Sequence, residues 1–258
     1  WRSLRVSSVC WSVPAVIFMV QEVGPRSAST VPSRKIYRHC GVDSNMNNPQ
    51  PTSEQVNTVS QFFQIHPENP QARLIKQAVE IIKKGGVVIY PTDSSYAVGC
   101  QMGDKSAIER IKRLRNLDDK HNFTLMCCDL SQLGLFAKVD TGTFRLLKAH
   151  TPGPYTFILN ATREVPRLLL HPKRRTIGLR VPSHPIALAL LEELGEPLMS
   201  VTLILPGESE PMEDPYEIRD ALEKQVDLII DGGFGGNKAS TVISLVDSGD
   251  PEIVRVGC

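Results

Sequence analysis

The chain has 258 residues, 41% of them hydrophobic and 22% charged, with a formal net charge of +1. This is ordinary globular composition, with enough length to bury one large core or two small ones. The small net charge excludes a basic field over the whole molecule, so any basic partner surface must be a local patch. The six cysteines form no CxxC pair, which favours a reducing compartment over a disulfide framework.

Residues 1–42 do not have the pattern of a folded domain. They contain seven serines and six Lys/Arg but a single acid, Glu22. Such a leader is typical of organelle transit peptides, and we expect a chloroplast leader ahead of a mitochondrial one. Out-of-frame or untranslated sequence is the alternative, and the protein would then be cytoplasmic. Residues 43–60 are rich in Asn, Pro, Ser and Gln and are interpreted as a linker, so the folded domain is predicted to span 61–258.

Strands and helices alternate along this domain. Helices are predicted at 71–84, 105–115, 141–149, 185–194 and 214–224, and strands at 62–65, 87–90, 123–127, 155–160, 176–181, 198–205, 226–230, 241–246 and 252–256. Several strands follow one another directly in sequence. This order favours an α/β sheet of mixed parallel and antiparallel direction, with flanking helices, over a strictly doubly wound Rossmann fold.

The first candidate site is the turn Pro91-Thr92-Asp93-Ser94-Ser95, which follows a buried strand. Its hydroxyls can bind oxyanions or a carboxylate. The alternative is an ordinary strand-to-loop turn, in which Ser and Asp are common.

The second candidate is the basic end of the helix at 105–115, with Arg113, Arg115, Lys120 and His121. Arginine suits phosphate because its planar fork bonds two oxygens at once. If the helix ends near Arg113, both arginines can turn into one pocket. The alternative is a solvated last turn that the helix dipole favours.

A third basic segment spans 163–180 and carries six Lys/Arg against one acid. The loop Lys173-Arg174-Arg175 can contact a nucleic-acid backbone, or can be a solvated loop. Arg180 differs because it ends an apolar strand, where a charge is expected to have a partner. A glycine-rich loop at 231–241 either approaches a ligand closely or is a hairpin. The six histidines lack metal-ligand spacing, so no zinc site is expected.

Five ordered segments resemble the YrdC/Sua5/YciO family over roughly residues 60–258, with a pattern nearest the YciO branch. They are PTDSSYAVGC (91–100), HNFTLMC (121–127), TPGPYTFIL (151–159), RRTIGLRVPSHP (174–185), and VDLIIDGG followed by STVISL (226–245).

The resemblance implies a twisted mixed sheet with flanking helices and a basic concave groove. For the catalytic branch it implies threonylcarbamoyl-AMP synthase activity, a nucleotidyl transfer. That reaction combines L-threonine, bicarbonate and ATP, with Mg²⁺ accompanying the ATP, and releases pyrophosphate. Its product serves the threonylcarbamoyl modification of adenosine in tRNA. The family is also associated with double-stranded RNA binding.

Site roles carry over from the resemblance only where residues match. The residues implied for binding threonine are Thr92, Ser94, His121 and Ser240. The residues implied for charge stabilisation at the ATP phosphates are Arg113, Arg115 and Lys120. The residues implied for binding the nucleotide are Thr156, Arg180, Ser200 and Thr202. Two positions depart from the family pattern. Arg113 replaces a lysine, which keeps the charge but changes the shape of the side chain. Ser200-Val201-Thr202 replaces Ser-x-Asn, so Thr202 stands where an asparagine amide would donate.

Three functions stay open on the sequence. The leading one is a threonylcarbamoyl-AMP synthase or a weak homologue of it. The second is a non-catalytic protein that binds double-stranded RNA or tRNA through the same groove and through Lys173, Arg174 and Arg175. The third is a carbamoyl-transfer protein acting on another substrate.

Overall fold

The computed structural model describes residues 59–118, 121, 123–171, 173–246 and 251–258. Almost all of the proposed leader and linker, and the candidate Lys120, therefore lie outside the described residues. Within the described ranges, no helix is both long and apolar enough to cross a membrane.

The described chain contains ten strands and six α-helices. The strands are β1 (Gln61–Gln64), β2 (Val88–Pro91), β3 (Tyr96–Gln101), β4 (Thr124–Met126), β5 (Tyr155–Asn160), β6 (Thr176–Arg180), β7 (Leu198–Thr202), β8 (Leu228–Asp231), β9 (Thr241–Ser244) and β10 (Glu252–Arg255). The helices are α1 (Ala72–Lys83), α2 (Lys105–Arg115), α3 (Leu130–Phe136), α4 (Thr141–His150), α5 (Pro185–Leu194) and α6 (Pro215–Leu222).

All ten strands form one sheet in the order β1-β8-β2-β3-β7-β4-β6-β5-β9-β10. The pairs β1–β8, β8–β2, β4–β6 and β5–β9 are parallel, and the other five pairs are antiparallel. The prediction of a mixed α/β sheet with flanking helices is confirmed.

Local chemistry explains where the helix next to the site begins and ends. The side chain of Asp104 accepts a hydrogen bond from the backbone N–H of Ala107, which caps the start of α2. Asn116 has a left-handed conformation, with φ 49°, and ends the helix directly after Arg115. Ile108, Ile111 and other apolar residues of α2 face the core. The basic last turn of α2 therefore ends at a defined residue.

The two faces of the sheet are covered unequally. Helices α2, α3, α4 and α6 contribute to the larger apolar cluster on one face. On the other face, α1 and α5 pack mainly over β8, β2 and β3. This leaves part of the second face, over β7, β4, β6, β5 and β9, free to line a cavity.

Two elements were missing from the sequence prediction. Strand β3 follows the polar turn at once, and its side chains are buried from Tyr96 to Cys100, so it lacks the polar alternation that marks a half-buried strand. Helix α3 has only seven residues, which is too short to establish a helical period. The predicted strand 198–205 is also too long, because β7 ends at Thr202.

Candidate functional site

A cavity of about 590 Å³ lies on the second face of the sheet. Its floor comes from alternate residues of neighbouring strands, among them Thr124, Thr156, Gly178 and Ser200. Thr124 is in register with both Gly178 and Ser200 across the sheet. Because side chains two apart on a strand point to the same face, one face carries a row of hydroxyls.

Gly178 keeps this floor flat. A Cβ at this position would lie 2.9 Å from Thr124 Oγ1, 3.1 Å from the Phe123 carbonyl oxygen and 3.4 Å from Thr156 Cγ2. Any side chain would therefore crowd the hydroxyls that line the cavity.

Arg180 ends β6 and its side chain lies at the cavity wall, with only 6% of the residue exposed. Its Nη1 donates to Ser94 Oγ at 3.0 Å, and its Nη2 donates to Asp93 Oδ1 at 2.6 Å. Among the described residues its Nε is buried with no acceptor. The sequence expectation that this arginine has a partner is confirmed. Each of its two Nη atoms also carries a second N–H that these bonds do not use.

The polar turn is closed by Thr92. Its hydroxyl donates to the Ser95 carbonyl oxygen at 2.6 Å and accepts from the backbone N–H groups of Ser94 and Ser95, each at 3.3 Å. Thr92 therefore shapes the turn, while Ser94 faces Arg180. Both line the cavity.

The glycine-rich loop supports this turn from behind. A Cβ at Gly236 would collide with the Ser94 carbonyl oxygen, and a Cβ at Gly232 would lie 2.7 Å from Pro91 Cγ. Gly236 thus permits close approach of the loop backbone to the backbone of Ser94, and Gly232 permits close approach to the proline ring. The loop then leads into Ser240, which lines the cavity.

At the end of α2, the two arginines diverge. Arg115 lines the cavity, and burial lowers the pKa of its guanidinium. Its Nε is buried without an acceptor in the described part of the chain. Arg113 is exposed outside the cavity lining, and its Nε donates back to the Glu109 carbonyl oxygen at 3.4 Å. The helix continues to Arg115, so the idea that both arginines enter one pocket is wrong: residues two apart splay around a helix.

Arg255 is a site residue that the sequence analysis missed. It lies on the edge strand β10 and lines the cavity, and its Nη2 and Nε donate to the Ser240 carbonyl oxygen at 2.8 and 3.1 Å. Partial burial, and then the positive charge of Arg180, lowers its pKa. The signal that singled out Arg180, an arginine within an apolar strand, was also present at residues 253–256.

His121 also lines the cavity. Burial lowers its pKa first, and the charges of Arg115 and Arg255 lower it further, against an opposing effect of Asp118. Positive charges that lie close together are stabilised by a nearby anion. The cavity is therefore built to accept negative charge.

The structure brings most of the candidate residues to one cavity. They are Thr92, Ser94, Arg115, His121, Thr156, Arg180, Ser200, Thr202 and Ser240. Thr156 and Ser240 share a hydrogen bond, with their hydroxyl oxygens 2.8 Å apart. Within the described residues, no group of three or more His, Cys, Asp or Glu side chains could hold a metal ion.

The loop Lys173-Arg174-Arg175 lies elsewhere. It precedes β6, whereas Arg180 ends that strand, and all three residues are exposed. His171 holds the loop, because its Nδ1 accepts from the backbone N–H groups of Lys173 and Arg174. This basic loop is a surface separate from the cavity.

A mixed sheet with an arginine-lined cavity on its open face defines an α/β protein with a candidate site for an anion. Residues 80–257 match the family model Sua5_yciO_yrdC, which is described as "Telomere recombination". The chain belongs to this Sua5/YciO/YrdC family.

Individual relatives agree with the family match. YciO of Escherichia coli is 63% identical over 199 residues, covering 77% of this chain and 96% of the relative, and its crystal structure matches with a TM-score of 0.75. A threonylcarbamoyl-AMP synthase of Nitrosococcus oceani is 33% identical over 162 residues, covering 62% of this chain and 86% of the relative. The crystal structure of P. abyssi Sua5 complexed with L-threonine has 27% identity and a TM-score of 0.70, covering 77% of this chain and 58% of that one.

Proposed function

We propose that this protein forms threonylcarbamoyl-AMP from L-threonine, bicarbonate and ATP, with release of pyrophosphate, for tRNA modification. The observation that carries the proposal is the convergence of Arg115, Arg180 and Arg255 on a cavity floored by hydroxyls. Relatives named threonylcarbamoyl-AMP synthase, and a Sua5 structure with L-threonine, support it.

The reaction needs no covalent enzyme intermediate. The amine of threonine attacks bicarbonate, which gives a carbamate and water. A carbamate oxygen then attacks the α-phosphorus of ATP, and pyrophosphate leaves with the electron pair of the broken P–O bond. Negative charge accumulates on the phosphate oxygens, so the protein contributes by positioning the reactants and stabilising charge.

Each side-chain group has a defined task in this proposal. The guanidinium groups of Arg115, Arg180 and Arg255 bind phosphate oxygens, for which their planar forks are suited. Each terminal guanidinium nitrogen carries two N–H donors, and those of Arg180 use one each on Ser94 and Asp93. The hydroxyls of Ser94 and Ser240, which both line the cavity, orient threonine.

Mg²⁺ is proposed to enter with ATP as part of the substrate. Mg²⁺ keeps several waters and is commonly held through substrate phosphates rather than by a protein cage. The described residues fit that mode, because the cavity lining among them contains one carboxylate, Asp118, rather than a cluster. The ion supplies charge neutralisation on the phosphates.

The test is pyrophosphate release from purified protein mixed with ATP, Mg²⁺, L-threonine and bicarbonate. We expect release that requires threonine and that falls at least about tenfold in Arg115→Ala, which removes charge-assisted bonds to phosphate. Release that does not depend on threonine would favour carbamoyl transfer to another substrate. No release at all would contradict the proposed synthase.

RNA binding is the second candidate function. The exposed loop Lys173-Arg174-Arg175, held by His171 away from the cavity, favours it. Phosphate-backbone contacts make binding weaken with salt. We expect that replacing all three side chains by Ala lowers both RNA affinity and its salt dependence, without changing ATP binding. RNA binding with an unchanged salt slope in the triple variant would exclude this loop as the contact.

A further inference from the structure

Ser200 lies on the floor of the cavity and accepts a hydrogen bond from Tyr90, which does not line the cavity. Tyr90 is on β2, and its hydroxyl donates to Ser200 Oγ at 2.8 Å. Tyr90 is 1% exposed and Ser200 3%. Strand β3 lies between β2 and β7, so the two residues sit on strands about 10 Å apart.

Gly99 on the intervening strand makes this contact possible. Gly99 pairs with Val88 on β2 and with Ser200 on β7. A Cβ there would lie 3.2 Å from Tyr90 Cε1 and 2.7 Å from the Met199 carbonyl oxygen. Without a side chain at 99, the tyrosine ring crosses β3 and reaches the serine.

The bond determines which way the serine hydroxyl acts. A hydroxyl has one hydrogen to donate and two lone pairs that accept. Burial raises the pKa of Tyr90 to about 12, so its phenol stays protonated and remains a donor. Tyr90 therefore occupies a lone pair of Ser200 Oγ, and among the described residues the serine's own hydrogen has no acceptor.

We propose that Tyr90 is a positioning residue that makes Ser200 a hydrogen-bond donor toward an anionic oxygen in the cavity. The inference rests on the proposed function, in which that oxygen belongs to ATP. Arg180 lines the same cavity and supplies positive charge to the same ligand. Tyr90 itself does not touch the ligand and acts through Ser200.

The experiment is a double-mutant cycle on ATP affinity, measured by calorimetry with Tyr90→Phe, Ser200→Ala and the double variant. Tyr90→Phe keeps the buried ring and removes only the hydroxyl. We expect Tyr90→Phe to weaken ATP binding by about fivefold and Ser200→Ala by about tenfold. The double variant should bind no more weakly than Ser200→Ala, because the tyrosine acts only through the serine.

A purely structural role for Tyr90 would lower the denaturation midpoint and leave ATP affinity unchanged, which would overturn the inference. Additive losses in the double variant would overturn it as well. Tyr216→Phe, which removes a phenol on α6 that accepts from Gln64, is the control and should bind ATP as the wild type does. A wild type that binds ATP without releasing pyrophosphate would contradict the proposed function alone. A wild type that does not bind ATP would overturn both.

Discussion

Arg113 and Arg115 have the same chemistry and lie two residues apart in the chain, yet only Arg115 lines the cavity. The reason is the helical period, which turns residues two apart to different sides. Arg115 is partly buried, and its Nε has no acceptor among the described residues. At this scale, function depends on the direction of a side chain rather than on its type.

The two arginines form a matched pair for an experiment on ATP binding. We expect Arg115→Ala to weaken the affinity by about tenfold or more, because it removes charge-assisted bonds to phosphate from a partly buried site. Arg113→Ala should change it by no more than about twofold, as expected for a charge exposed to screening by solvent and salt. Calorimetric titration with ATP measures both. Equal losses of ATP affinity in the two variants would show that Arg113 also contributes to the site.

His121 makes stability depend on pH in a defined direction. Burial and nearby arginines hold its pKa below the ordinary value, and burial does the same for His184. The unfolded chain therefore binds more protons than the native protein, and the free energy of unfolding falls as the pH decreases below about 6.5. Denaturant unfolding between pH 7.5 and about 5 should show this fall, and His121→Asn should make it shallower. If the free energy of unfolding of the His121→Asn variant falls with decreasing pH as steeply as that of the wild type, His121 is not the cause of the pH dependence.

At the scale of the elements, a glycine in a strand of the site and a glycine in a supporting helix differ in how closely they are packed. Gly178 on β6 would meet Thr124 and Phe123 if it carried a Cβ. Gly134 on α3 would meet nothing within 4 Å. Close packing at the cavity floor requires the first glycine. Packing does not require the second, and it makes helix α3 less stable than alanine would.

The two glycines predict opposite effects of alanine on stability. Gly134→Ala should raise the free energy of unfolding by about 0.5–1 kcal/mol, because alanine loses less backbone entropy in a helix. Gly178→Ala should lower it by about 1–3 kcal/mol, because the added methyl overpacks the floor. Urea unfolding of both variants gives the comparison, and a stable Gly178→Ala protein would show that Thr124 yields its space easily.

On the scale of the whole molecule, the cavity exists because the sheet collects residues that are far apart in sequence. Arg115 comes from α2, Arg180 from β6 and Arg255 from β10. Strand β10 is at the edge of the sheet, and its four residues are exposed. It contributes to the cavity while adding little to the core.

Removing residues 251–258 should therefore weaken ATP binding without preventing the protein from folding. We expect the shortened protein to unfold in one cooperative transition, because it retains both apolar clusters. Its ATP affinity should fall at least as far as that of Arg255→Ala, since the Arg255 guanidinium and its bond to Ser240 are both lost. Unchanged ATP affinity would exclude β10 from the site.

The elements with strong local signals were predictable. The bounds of α2, β5 and α5 agree with the sequence prediction, because apolar periodicity and capping residues act over short distances. Strand β3 was not predictable, because a strand buried on both faces carries no alternation of apolar and polar residues. Arg255 was missed although it lies in an apolar strand as Arg180 does, because only the fold shows that β10 borders the cavity.

The sequence by itself determined the family, the mixed sheet and nine of the residues that meet at the cavity, because ordered motifs preserve their spacing along the chain. Only the tertiary structure decided which arginines converge, since that depends on strand order and helix rotation. It also revealed the Tyr90–Ser200 bond across Gly99. That contact joins strands β2 and β7, which are not neighbours in the chain, and so only the folded sheet brings the two hydroxyls together.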